Sequence, residues 1–270
     1  MKAKKLLVVY TLLLFVVIAV MTSLWQLNKG KASRDYPEIK EEGILRIVTE
    51  YNQSGYYISG DTIEGFQYEL SQAIADIAGV EVHISLETSL TESLDLLSKG
   101  KYDIIARNVP VTLGRKDKYL FSDPIVFSKQ VLVQRTNDTI VPIRNQLKLA
   151  GKYLYVQKDS PAMLRLRNLE SEIGDSIHVI EEEFYSDEQL IFMVAKGEIG
   201  YAVCDYQMAY AYRKIYPEID IDTNISFTQL QSWVVREKAF ELLDSLNVWL
   251  IKIKENGVYD KIYKRYYNRI

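Results

Sequence analysis

Three hydrophobic patterns alternate along this chain, and each predicts a different kind of element. The first is an uncharged apolar run over residues 6–25, preceded by Lys2, Lys4 and Lys5 and followed by Lys29 and Lys31. A bilayer core needs about 20 apolar residues in a helix, and lysines ahead of the run hold that end in the cytoplasm. The small residues around Met21-Thr22-Ser23 make a poor cleavage site. Residues 1–28 are therefore expected to be an uncleaved signal anchor, with release into the periplasm after cleavage as the alternative. The second pattern is the short β-type run, at 44–48, 80–84, 104–106, 153–156 and 201–203. The third is helical spacing. Phe66, Leu70, Ala73, Ile74 and Ile77 share one face and stop at Gly79. A longer amphipathic stretch over 237–254 carries Phe240, Leu243, Leu246, Leu250 and Ile253 and closes at Asn256-Gly257, before a last helix rich in Tyr and Lys.

Two of these segments repeat. Ser89-Leu-Thr-Glu92 leads to Lys99-Gly100 and the apolar run at 104–106, and Ser186-Asp-Glu-Gln189 leads to Lys196-Gly197 and the run at 201–203. Serine with Glu or Gln three residues later can satisfy orphan N–H groups at a helix start, and glycine takes the left-handed turn that ends one. Both serines and both glycines lie 97 residues apart. Strands alternating with helices predict parallel sheets, and the repeat predicts two similar α/β lobes. Such sheets bind ligands beyond the carboxyl ends of their strands, here just after Val48, Ala106, Val156 and Val203.

Composition narrows the function. The 270 residues are 48% hydrophobic and 26% charged with formal net charge −3, which suits a folded protein and gives no basic footprint for nucleic acid. A single cysteine, Cys204, leaves no intrachain disulfide framework and no cysteine-rich metal site. His83 and His178 are the only histidines, and no HExxH, CxxC, GxSxG or phosphate-binding glycine loop occurs, so no metal, cofactor or nucleophilic catalysis is expected.

The ordered set Leu45-Arg-Ile-Val-Thr-Glu50, Gly65-Phe-Gln-Tyr-Glu-Leu70, Gly100-Lys-Tyr-Asp-Ile-Ile105, Thr112-Leu-Gly-Arg115, Phe121-Ser-Asp-Pro124 and Lys129-Gln-Val-Leu-Val-Gln-Arg135 resembles the family-3 periplasmic solute-binding proteins, which serve importers of polar amino acids. Within them it is most similar to the non-catalytic N-terminal module of membrane-bound lytic transglycosylase F. The catalytic domain that follows that module there is not expected here. The resemblance implies a two-lobed periplasmic-binding-protein fold of type II, with mostly parallel sheets flanked by helices behind one transmembrane helix. Residues 29–42 are polar and aperiodic and read as a linker, while the resemblance implies a first lobe over 43–132 plus 233–270, a second lobe over 133–232 with the hinge strands, and closure of the cleft on a ligand.

It also implies a pocket. Arg115, in Thr112-x-x-Arg115, matches the guanidinium that grips a ligand carboxylate, and Asp205 matches the carboxylate that pairs with its ammonium. A surface ion pair and a strand-end cap are their structural alternatives. Ser160 matches a hydroxyl that helps bind the carboxylate, and it can equally cap the helix behind Pro161. Glu50 stands where an acid contacts a basic side chain, and Tyr57 lies near the aromatic wall. Arg107 and Asn108 replace small hydroxyl residues. An extra guanidinium suggests a more anionic ligand, unless Arg107 pairs with Glu50 and fills the pocket. The expected function is extracytoplasmic binding of an amino acid or short peptide, muropeptides included, by a tethered sensor or regulator of a cell-wall enzyme. The alternatives are a substrate-binding subunit for an ABC permease and, more remotely, a dehydratase-type enzyme on the same fold.

Overall fold

The computed structural model describes residues 10–23, 34–137, 139–158, 160–174 and 176–267. Of the apolar run, residues 10–23 form an exposed helix, α1, and the rest lies outside the described residues. Among the described residues no helix is long and apolar enough to cross a membrane.

The stretch expected as linker is folded from Arg34 onward. Asp35 caps the helix α2 (Tyr36–Glu42), Glu38 answers the Asp35 N–H at 2.9 Å, and a proline sits in the first turn. Ile39 is fully buried, and Tyr36 packs edge-on against Trp249 with ring centroids 5.4 Å apart. One apolar residue in a capped helix thus pins this segment to the body behind it. The sequence reading took it as aperiodic because the helix is only seven residues long.

The first lobe then runs β1 (Ile44–Thr49), a hairpin β2 (Tyr57–Ser59) and β3 (Thr62–Glu64), α3 (Phe66–Ala78), β4 (Glu81–Leu86), α4 (Leu90–Ser98), β5 (Ile104–Pro110), α5 (Leu113–Lys116), β6 (Tyr119–Phe121) and β7 (Val126–Ser128). The second lobe holds β8 (Gln130–Arg135), β9 (Tyr153–Gln157), α6 (Ala162–Ile173), β10 (His178–Glu182), α7 (Asp187–Lys196), β11 (Tyr201–Asp205), α8 (Tyr206–Arg213) and β12 (Ile219–Asn224). The chain returns to the first lobe in β13 (Gln229–Arg236), α9 (Phe240–Glu255) and α10 (Val258–Tyr266).

The sheets are ordered β4-β1-β5-β13-β6, with β7 also on β13, and β10-β9-β11-β8-β12. Each begins with three parallel strands in the same order, and the third of each, β5 and β11, ends the helix–strand unit repeated in the sequence. The sheets are mixed rather than mostly parallel: β13 runs antiparallel to β5, β6 and β7, and β8 runs antiparallel to β11 and β12. These two are the strands that follow a passage between the lobes, so each enters its sheet from the cleft end. All of β8 pairs in the second sheet, so the sheets divide at Ser128-Lys129 and not after residue 132.

Capping follows the sequence signals in part. The Ser89 hydroxyl accepts from the Glu92 N–H at 3.2 Å, and at Ser186 the capping box is formed in both directions, the Gln189 side chain accepting the Ser186 N–H at 2.9 Å. Gly197 ends α7 at φ 78°, a left-handed turn that a side chain resists. Burial of α9 falls on Leu242, Leu246, Trp249, Leu250 and Ile253, while Phe240 at its first turn is exposed.

Candidate functional site

A cavity of about 350 Å³ opens between the lobes, small for a ligand pocket but within the usual range of roughly 300–1,000 Å³. Its wall includes Glu50 past β1, Arg107 and Asn108 in β5, Gln157 at the end of β9 with Lys158 past it, and Asp205 at the end of β11. These are the strand ends at which open α/β sheets bind ligands. Helix starts complete the second-lobe side: Ser160 and Pro161 before α6, and Ser186, Asp187 and Glu188 at the start of α7.

The loop that carries Glu50 is shaped by close backbone approach. A Cβ on Gly55 would stand 2.2 Å from the Glu50 carbonyl oxygen, and one on Gly65 (φ 141°) would stand 2.3 Å from that of Gly55. Asn52 holds the turn by accepting the Gly55 N–H at 2.6 Å. Behind it runs a polar relay. The Trp233 indole N–H donates to Gln67 Oε1 at 2.6 Å, and Gln67 Nε2 donates to Asn108 Oδ1 at 2.7 Å. Asn108 Nδ2 donates in turn to the Tyr267 hydroxyl at 3.2 Å, which meets Ser54 Oγ at 2.8 Å. Asn108 is therefore held from behind, and its main effect is to position the Tyr267 hydroxyl at the wall.

Arg107 is committed within the protein. Its Nη2 donates to Glu50 Oε2 at 2.5 Å, and its Nη1 donates to the carbonyls of Thr88 at 3.2 Å and Glu87 at 3.4 Å. Of the two readings of this arginine, pairing with Glu50 is the arrangement present. Three expected contacts lie elsewhere. Arg115 is absent from the wall, and its Nη1 donates to the Pro110 carbonyl at 3.2 Å, because the short α5 carries it along the flank of the first lobe. Thr112 precedes that same helix, outside the wall. The Tyr57 hydroxyl donates to Glu64 at 2.5 Å within the hairpin. Ser160 reaches the wall and also accepts the Ala162 N–H at 3.2 Å.

Beside Asp205 the second lobe brings two acids that the sequence did not single out, Asp187 and Glu188. Asp205 Oδ1 accepts the Gln207 N–H, Asp187 Oδ2 accepts the Asp205 N–H, and both bonds measure 2.9 Å. Glu188 Oε1 accepts the Gln53 N–H at 3.0 Å, across the cleft. Burial pushes all three carboxyls up, and Asp187 is pushed to about 7. For Asp187 the neighbouring Asp205, Glu50 and Glu188 add to the rise, and the Asp205 N–H partly offsets it. The one usable signal was Asp187-Glu188 inside the second capping box. Acids in a first turn ordinarily answer the helix dipole, so their spacing alone does not aim them at a cleft. Burial also raises the Cys204 thiol, which keeps it a packing residue. Among the described residues no group of three metal-binding side chains occurs.

Residues 45–269 match the model of the bacterial extracellular solute-binding proteins, family 3. A membrane-bound lytic murein transglycosylase F of Desulfosudis oleivorans is 30% identical over 97% of this chain and 57% of its own length. The protein of that name from Pseudoalteromonas translucida is 27% identical over 87% of this chain and 49% of its own. The chain thus spans about half the length of these curated relatives. Among solved structures, an ancestral arginine-binding protein bound to arginine superposes with TM-score 0.72 at 27% identity, covering 83% of this chain and 98% of that one. The L-cysteine solute receptor of Neisseria gonorrhoeae superposes with TM-score 0.73 at 21% identity, over 84% and 91%, a likeness of fold alone.

Proposed function

Because this chain belongs to the family-3 bacterial extracellular solute-binding proteins, we propose that it captures a small amine-bearing solute between its lobes on the periplasmic side of the inner membrane. The observation that carries the reading is the cavity wall itself. Both lobes contribute to it, and three carboxylates of the second lobe, Asp187, Glu188 and Asp205, gather there, while the single arginine among the described wall residues, Arg107, is paired with Glu50. An ammonium or guanidinium is the group such a wall stabilises best. Each acid already accepts a protein N–H, an arrangement suited to holding a cation rather than passing a proton, so binding is favoured over catalysis.

Tethering through residues 1–28 fits the apolar helix seen over 10–23 and the membrane-bound relatives, and favours a sensor or regulator over a free carrier for a permease. The test is a thermal-shift screen of the purified protein against amino acids, amines, short peptides and muropeptides. A ligand at 100 times its dissociation constant stabilises the folded state by about 2.7 kcal/mol. A shift with a cationic solute, lost in Asp205→Asn, is expected. A well-folded sample that responds to none of these compounds refutes the reading.

A further inference from the structure

Among the described residues of the cavity wall, what is offered to a ligand is uneven. The positive groups are spent or peripheral. Arg107 is tied to Glu50 and to the carbonyls of Glu87 and Thr88, and Lys158 is paired with Glu183 at 2.5 Å. Lys214 is exposed, with its ammonium over the Tyr210 ring at 5.3 Å from the centroid. Arg115, the residue matched to a ligand carboxylate, lies outside the wall against the Pro110 carbonyl.

The acceptors are engaged as well, each acid taking a protein N–H, but an ionised carboxylate accepts about four hydrogen bonds and so keeps capacity for a ligand. Besides Asp187, Glu188 and Asp205 there is Gln231 on β13, a wall residue only 2% exposed. Its Oε1 is buried without a hydrogen-bond partner. A buried acceptor left unpaired is costly, and a donor on the ligand would relieve it.

We infer that the cleft takes a ligand bearing two or more cationic nitrogen groups and no free carboxylate, a linear diamine, polyamine or guanidino-amine, in preference to a zwitterionic amino acid. One cationic end is held by Asp187, Glu188 and Asp205, and a further N–H donates to Gln231 Oε1. A carboxylate in the same space would be desolvated beside three acids, with the nearby cations already engaged elsewhere. The amine-only ligand has no such group to bury. The inference rests on the cleft being a solute site, as proposed above, and narrows it to one class.

Calorimetric titration of the full chain at pH 8 with matched pairs separates the two. The pairs are agmatine with arginine, cadaverine with lysine and putrescine with ornithine, which differ only in the carboxylate. The amine of at least one pair should bind about tenfold or more tightly than its amino acid, in keeping with a site that rejects ligands leaving polar groups unpaired. Asp205→Asn, which keeps an acceptor for the Gln207 N–H, and Gln231→Leu should each weaken the amine several-fold, with unchanged circular dichroism as the folding control. Equal or tighter binding of the amino acid in every pair overturns the inference and leaves solute binding intact. Binding of neither member also overturns it, and the wider screen of peptides and muropeptides then decides the broader reading.

Discussion

Asp187 shows what a single desolvated carboxyl does to this molecule. It is half-buried at the cavity wall and faces Asp205 on β11, Glu50 beyond β1 and Glu188 beside it, with the Asp205 N–H as its donor. Its ordinary value of 3.8 rises to about 7 in the fold, so the folded protein holds a proton that the unfolded chain releases. The stability this provides is full below the unfolded value and is lost as pH climbs from about 4 through about 7. Asp187→Asn keeps an acceptor for the Asp205 N–H and removes the charge. Urea unfolding of the variant should therefore show greater stability at pH 7.5, on the order of a few kcal/mol, and a flatter pH profile from 5 to 8. An unchanged profile would mean that water already solvates this carboxylate. Ligand affinity runs the other way: a cation needs Asp187 ionised, so its binding weakens as pH falls below about 7, by up to tenfold per unit, with uptake of protons by the free protein.

At the scale of elements, the segment from Arg34 to Glu42 is the clearest case of structure written in distant partners. Arg34 Nε meets Asp103 at 3.1 Å, Arg236 Nη2 meets the same carboxylate at 3.1 Å, and the Arg46 N–H donates to it at 3.0 Å. Asp35 caps its own helix and also accepts the Leu242 N–H at 2.8 Å and the Glu241 N–H at 3.2 Å, so it serves the start of α9, where Ala239 offers no side-chain cap. Asp103 is fully buried, and Asp103→Ala would take the shared carboxylate from two guanidinium groups that are each under a tenth exposed. A loss of about 3–5 kcal/mol is expected in denaturant unfolding, and a loss below about 1 kcal/mol would show the cluster to be solvated. The Asp35–Glu38 cap is a local signal, but the contacts that dock the segment were not legible, because their partners lie roughly 70 to 200 residues away. The repeated helix–strand units were legible because their signals are local: a serine, a Glu or Gln three residues on, a glycine and an apolar run. The site divides along the same line. Strand ends located Glu50, Arg107, Asn108 and Asp205 at the cavity, whereas Arg115 followed a motif whose short helix turns it aside, and Asp187 and Glu188 looked like ordinary first-turn acids.

For the whole molecule, the question is what keeps two lobes together when only two passages of chain, at Ser128-Lys129 and between β12 and β13, join their sheets. Hydrogen bonds between described residues span the cleft. The Gln53 N–H donates to Glu188 Oε1 at 3.0 Å, and Gln207 Nε2 donates to the Tyr263 hydroxyl at 3.4 Å. A bond of this kind contributes about 0.5–1.5 kcal/mol, up to roughly 3 where an ion takes part. Together they are large enough to bias a domain equilibrium and small enough for a ligand to override, since a ligand shifts the balance only by its differential affinity for the closed state. Tyr263 deserves the variant because its ring also packs edge-on over Phe66 at 6.3 Å, so Tyr263→Phe removes the hydroxyl and keeps the core. Glu188→Ala removes the other bond, and with it one of the three acids assigned to the ligand. Small-angle scattering of the double variant should give a larger radius of gyration than the parent without ligand. Tyr263→Phe alone should give a smaller increase that a saturating ligand reverses. Identical scattering from parent and double variant would place the closing force elsewhere, in the packing of the strands that carry the chain from one lobe to the other.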